Sequence, residues 1–353
     1  VNVTSKHAAI AVTMTILFIL FFWGAKKWNN LDKGKKEEQG EHNVELSAWI
    51  VDWQWESGMD DFKKITEGLS SLQAFAAYFD STDNLYLTDA SREAMPQMIA
   101  ASKESSQVHV DLTVVNDRIG EDGSAVQKDP ALITRLLATD ESRNKHINNI
   151  LDVVAKYDFD GVEIDYEKIN DGDWNNVCKF YGELYQRLHS LGKSLRIVLE
   201  PRTPIEELAL PEGPVYVMMA YNLYGSHSDP GPKADYAFIV ELAHRMDLVP
   251  GDNFIAFSTG GFDWTEGGKI DAVTERQAAM LSQLSLDAPN RDAASGSIYF
   301  HYMDNTETKH TVWYADHVTL SQWIDASQRA GYNKIAIWRL GDLGEVTLSH
   351  LNQ

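Results

Sequence analysis

Phe159-Asp160-Gly161-Val162-Glu163-Ile164-Asp165-Tyr166-Glu167 alternates acidic and apolar residues at strand spacing. Side chains two apart on a strand share a face. Glu163, Asp165 and Glu167 therefore line one face, and Val162, Ile164 and Tyr166 line the other. The apolar face is suited to pack under helices. The acidic face sets three carboxylates side by side, where like charges repel and desolvation is costly. A fold keeps such a ladder only where the carboxylates have work to do or meet solvent.

The rest of the chain supplies the setting. Strand-like runs fall at 44–53, 72–79, 108–115, 160–166, 194–200, 214–221, 253–258 and 334–338. Between them apolar residues return at helical spacing, as at Ile147, Ile150, Leu151 and Val154, and again over 173–191 and 233–247. Eight strands alternating with helices over about 300 residues predict an α/β fold, a (β/α)8 barrel. A doubly wound sheet is the alternative. Asp52-Trp53, Asn116-Asp117, Glu167, Glu200, Tyr221-Asn222 and Trp338 stand at strand ends, and a barrel brings them all to one mouth. Ser297–Asp316 reads as a hairpin with Asp304-Asn305 at its turn, part of an insertion at about 285–316 between strands 7 and 8. His301 and His310 are expected on the hairpin surface.

The formal net charge is −21 over 353 residues. Residues 1–43 carry six Lys and four acids, which leaves 25 Lys and Arg against 48 acids in the remainder. So acidic a body repels nucleic acid, and a neutral ligand such as a carbohydrate fits it better. A single cysteine, Cys178, excludes a disulfide framework and a Cys-rich zinc site. Ala8–Ala25 is an almost unbroken apolar run, long enough to span a bilayer and without a clear cleavage site after it. It predicts a membrane anchor at 1–27, a solvated linker at 28–43 and a catalytic body at 44–353. The lysines after the run favour a cytoplasmic body. An extracellular glycan as substrate favours the opposite, and a single-pass protein with its body outside the cytoplasm is the expectation.

The order Asp-Gly-x-acid-x-Asp-x-Glu on a barrel strand resembles the signature of glycoside hydrolase family 18, the chitinases and related N-acetylglucosaminidases. Met219-Ala220-Tyr221-Asn222, Gly261-Phe262-Asp263-Trp264 and Ala336-Ile337-Trp338-Arg339-Leu340-Gly341 follow in the family's order. His310–Asp316 is similar to bacterial members of its spore-germination and cell-wall branch. Three departures stand out: Glu163 and Asn222 occupy positions where the family usually has Asp, and Leu112–Asp117 lacks its Ser-x-Gly-Gly.

The resemblance implies hydrolysis of β-1,4-linked N-acetylglucosamine glycans, with no cofactor and no metal. Glu167 would be the general acid. Asp165 would orient the substrate's 2-acetamido group, Tyr221 would donate to its oxygen, and Trp338 would form the sugar floor. Asp160 and Glu163 would tune Asp165 from below, with Asn222 nearby. Trp53, Trp55, Trp264 and Trp313 read equally as sugar platforms or as core. Glu200 and Arg202 read as cleft residues or as a structural ion pair. A non-catalytic carbohydrate-binding protein on the same barrel is the second reading. No His-Glu-x-x-His, phosphate loop or Gly-x-Ser-x-Gly elbow is present.

Overall fold

The computed structural model describes residues 44–352 except 106–107, 121–122 and 286. The expected anchor at Ala8–Ala25 and the linker lie outside the described residues. Among the described residues no helix is long and apolar enough to cross a membrane.

Eight parallel strands close a barrel: β1 (Glu45–Val51), β2 (Leu69–Phe79), β3 (His109–Ile119), β4 (Gly161–Asp165), β5 (Ser194–Leu199), β6 (Val215–Met219), β7 (Phe254–Phe257) and β8 (Lys334–Ile337). Each pairs with the next, and β8 returns to β1 through Glu45↔Lys334 and Ala48↔Ile337. The doubly wound alternative is thereby excluded. β3 runs past its expected end and pairs antiparallel with Ala125–Val126. That extension carries the loop to Lys128 over the mouth.

Alternation sorts each strand into two cores. Val162, Ile164 and Tyr166 pack outward against Ile147, Ile150, Val154 and Phe180 of the surrounding helices. Trp49, Val51, Val115, Val198, Val217, Met219, Phe254 and Ala336 fill the barrel interior. On β4 the interior positions are the acids. The helix Asp140–Tyr157 delivers the chain to β4. A capping box of Thr139 and Ser142 starts it, and Asp158 stops it in the left-handed region at φ 63°.

Gly161 explains the glycine of the acidic stretch. A Cβ there would stand 1.9 Å from Ser194 Oγ and 2.4 Å from Asp111 Oδ1. Those two side chains are hydrogen-bonded to each other at 2.9 Å across the base of β4. The strands close only because nothing projects between them.

The expected hairpin is present, with Ile298–Met303 paired to Lys309–Ala315. It is the middle of a larger five-stranded antiparallel sheet that begins earlier, with Gly260–Thr265 and Ile270–Val273, and ends on Asn290–Arg291. Gly260-Gly261 hid the first strand, because paired glycines read as a turn. Here Gly261 lets the strands approach closely, since a Cβ would meet Trp313 O at 1.7 Å. His310 is corrected too. It shares a face with Val312 and Tyr314, stacks on Tyr302 at 4.3 Å and meets Asp263 at 2.9 Å, so it is a packed residue and not a surface one. His301 is exposed as expected.

Gly161→Ala should lower stability by about 1–3 kcal/mol, the usual cost of forcing atoms into a filled site. A denaturant midpoint unchanged from the parent would show that the base of β4 has room to spare.

Candidate active site

The three acids of the ladder have different surroundings. Glu163 is fully buried. Its Oε1 accepts from Trp49 Nε1 and from Thr113 Oγ1 at 2.9 Å, and its Oε2 accepts from Arg196 Nε at 3.0 Å. Arg196 Nη2 donates on to Ser47 Oγ at 3.2 Å, and the guanidinium lies 4.6 Å from the Phe254 ring centroid. Burial pushes the Glu163 carboxyl above its ordinary range, and Arg196 pulls it back. This acid is saturated with donors and paired with a cation.

Asp165 is buried, and its Oδ1 has no partner among the described residues. Burial holds its carboxyl well above the usual range. The charges of Glu167 and Glu163 push the same way, against Lys128. Three carboxylates this close cannot all ionise. Glu163 has Arg196 and Glu167 has Lys128, so Asp165 is the rung with no cation of its own.

Glu167 lies just beyond β4 and is gripped by its backbone. Asn116 Oδ1 accepts its N–H at 3.0 Å, and Asn116 Nδ2 donates to its carbonyl at 2.9 Å. Lys168 then turns the chain at φ 55° and donates its N–H to Glu200 Oε2 at 2.7 Å. Lys128 Nζ pairs with Glu167 Oε2. The Lys128 N–H is itself held by Asp117 Oδ1 at 2.8 Å. The Glu167 carboxyl is pushed up to about 7, first by burial, with Lys128 lowering it and the neighbouring Glu200 carboxyl raising it. A carboxyl poised there keeps a transferable proton near neutral pH.

Aromatic rings complete the mouth. Trp338 is half-buried after β8. It meets Trp49 edge-on at 5.8 Å and Phe75 at 5.1 Å, and lies parallel to Tyr221 at 6.5 Å. Burial, then the charges of Asp165, Glu167 and Glu163, hold the Tyr221 hydroxyl protonated. It is therefore a donor within electrostatic reach of all three acids. Trp53 stands 58% exposed on the rim, edge-on to Phe75 at 5.6 Å.

Other candidates fall elsewhere. Asp160 sits at the base of β4, where Oδ2 accepts the Val110 N–H at 2.9 Å, so it aligns strands and does not tune Asp165. Asn222 turns its amide to the Met219 sulfur at 3.7 Å and not to Asp165. Trp264 is buried in the second sheet with Nε1 donated to Ser228 O at 3.0 Å, so it packs and is no platform. Trp55 and Trp313 are half-buried, the latter stacked on Tyr299 at 4.5 Å. Glu200 joins the site, whereas Arg202 is exposed and forms no ion pair among the described residues.

Sequence reasoning missed Lys128, Arg196, Trp49 and the clamp role of Asn116. Arg196 had a signal, a lone cation at an inward position of an otherwise apolar strand. Lys128 had none, since a loop lysine is ordinary until the loop is folded over the mouth.

The sequence profile of glycosyl hydrolases family 18 matches residues 53–342. The chain belongs to glycosyl hydrolase family 18. Among its relatives is a cortical fragment-lytic enzyme of Bacillus subtilis, 24% identical over 237 residues, which cover 59% of this chain and 52% of that protein. The chain spans about half the length of the curated relatives that it matches first. The spore cortex-lytic enzyme SleL of Bacillus cereus superposes with TM-score 0.73 at 19% identity, over 88% of this chain and 73% of that one. A chitinase from Chromobacterium violaceum superposes with TM-score 0.73 at 16% identity, over 88% and 98%. These superpositions agree on the barrel.

The two neighbours of Glu167 act in opposite directions, which gives a paired prediction for this family 18 site. Lys128→Met removes a charge that favours the carboxylate, so the alkaline limb of kcat/KM should move up by about one pH unit or more. Glu200→Gln removes a charge that opposes it, so the same limb should move down. Limbs that stay fixed in both variants would assign that limb to a group other than Glu167.

Proposed function

We propose that the protein hydrolyses β-1,4-linked glycans containing N-acetylglucosamine, chitin-like or peptidoglycan, with retention and with the substrate's own acetamido group as nucleophile. The observation that carries this reading is the division of labour within the ladder. Glu167 holds a proton near neutral pH. Asp165 favours its protonated form and keeps a buried oxygen without a partner. Glu163 is spent on Arg196. No rung is left as a free carboxylate nucleophile, so the nucleophile comes from the substrate.

The steps follow from these groups. Glu167 protonates the glycosidic oxygen as the bond to the leaving sugar breaks. The acetamido oxygen attacks the anomeric carbon, steered by the Tyr221 hydroxyl, and closes a five-membered oxazolinium ring. Asp165 accepts the acetamide N–H on its unpartnered oxygen. Positive charge developing on the ring polarises that hydrogen bond, so the assistance grows toward the transition state with no proton leaving Asp165. Glu167, now a carboxylate, draws a proton from the water that opens the ring. Trp338 offers an apolar face beneath the reacting sugar. Relatives named for fragments of the spore cortex support a cell-wall glycan as substrate, and a body outside the cytoplasm would meet it. A purely sugar-binding barrel would have no use for an enclosed acid poised near neutrality.

Glu167→Gln keeps the shape and removes the proton, so turnover should fall by about 10² to 10⁴ while the melting curve is kept. De-N-acetylated oligomers should be poor substrates, and thiazoline analogues of the cyclic intermediate should inhibit. Equal turnover of acetylated and de-acetylated oligomers, or a glycosyl ester trapped on a carboxylate, would overturn the mechanism.

A further inference from the structure

The mouth also holds two basic side chains that no acid meets at ion-pair distance among the described residues. Arg339 follows Trp338 directly. Its guanidinium lies 5.7 Å from the Trp53 ring centroid. It makes no hydrogen bond or ion pair with a described side chain or backbone group, and its Nη1 is buried without a partner. The charge of Asp342 is felt at Arg339, but the two form no ion pair, and that carboxylate accepts from Gln54 Nε2 at 3.0 Å. Lys233 reaches the same part of the rim from the loop before the helix Tyr236–Met246. It donates to Ser258 Oγ at 2.8 Å and Thr259 O at 2.9 Å, just past β7, beneath the Phe262 ring at 5.4 Å. Both acceptors are neutral, and an ammonium has a third proton to give.

This arrangement is costly unless something fills it. Burial and the charge of Arg339 pull the Lys233 ammonium down to about 7, and burial likewise lowers the Arg339 guanidinium. Acids are plentiful in this chain, 52 against 31 Lys and Arg, so the lack of one here is no accident of supply. Buried donors normally find partners, and an orphaned one marks strain, function or an absent ligand. Arg339, Lys233, Trp53 and Trp338 share the sector of the rim made by β7, β8 and β1. The planar fork of a guanidinium matches a carboxylate with two parallel hydrogen bonds.

We propose that Arg339 and Lys233 form a subsite for a carboxylate carried by the glycan, next to the sugar that lies over Trp338. The subsite rests on the reading of the mouth as a glycan cleft and narrows the substrate class to acid-bearing amino-sugar chains. The carboxylate has two chemical sources, a lactyl ether acid on the sugar itself or the free acid of a peptide attached through it.

The test is binding to the full chain carrying Glu167→Gln, read by tryptophan fluorescence. The probes are matched oligomers with a free lactyl acid, with that acid capped as a neutral amide, and with a short peptide ending in an acid. At least one acid-bearing oligomer should bind ten times more tightly than the neutral amide, and which one does identifies the source. Arg339→Gln should bring that ratio near one, Lys233→Met should reduce it at least threefold, and Arg339→Lys should keep part of it. Melting curves establish that each variant is folded, and Lys233→Met keeps the test decisive if Arg339→Gln does not fold. Equal affinity for acid and amide, binding of none of the three, or an undiminished ratio in the folded variants overturns the subsite. Failure of the parent enzyme to cleave any N-acetylated oligomer would sink the hydrolase reading while leaving the binding ratio intact.

Discussion

A single buried guanidinium makes the acidic ladder possible. Arg196 stands on β5 in register with Glu163 on β4, so its charge arrives from the neighbouring strand at the lowest rung. Buried ion pairs often contribute little net stability, because desolvation consumes the attraction. Their effect is to fix an arrangement. Here the pair, with Trp49 and Thr113, supplies Glu163 with three donors, and the charge of Arg196 opposes the rise that burial causes. The second cation, Lys128, covers the top rung. Asp165 lies between, with no cation of its own and with an acid on either side. Burial raises all three acids, and the placement of the two cations sets their surroundings apart along β4.

The longer side chain at position 163 fits this account. Its reach lets one carboxylate collect donors from β1, β3 and β5 at once, through Trp49, Thr113 and Arg196. Three strands beside Asp165 and Glu167 are thereby tied to one point. Trp49 connects that point to the aromatic floor, since its ring supports Trp338 from the side. A change at Glu163 would therefore be felt in the protonation of Asp165 and in the seating of the Trp338 ring together. Asn222 has no such reach and only closes against Met219.

The barrel was legible because alternation is a local property. Every strand proposed from period-two or apolar runs is present, and the outward and inward faces of β4 fall as the pattern requires. Glu167, Asp165, Tyr221 and Trp338 were legible because they stand at strand ends and inward positions of that pattern. What escaped was decided by approach between distant segments. Lys128 reaches Glu167 only because β3 extends into a small hairpin over the mouth. The second sheet was underestimated because its first strand opens on two glycines, whose value lies in what they allow Trp313 to do. His310 was misplaced and Trp264 left undecided for the same reason, since their surroundings belong to that sheet.

The pairing of β1 with β8 has a consequence for how the chain reaches this state. Its contacts join residues nearly 290 positions apart, as in Glu45↔Lys334. Contacts so distant in sequence form slowly, because a long stretch of chain must be ordered before they reward it. Until then the edge of β1 is an unpaired row of amides, open to other chains. Trp338 directly follows the strand that ends this exposure. The aromatic cluster around Trp338 and resistance to aggregation should therefore appear at the same moment of folding, when the cylinder shuts.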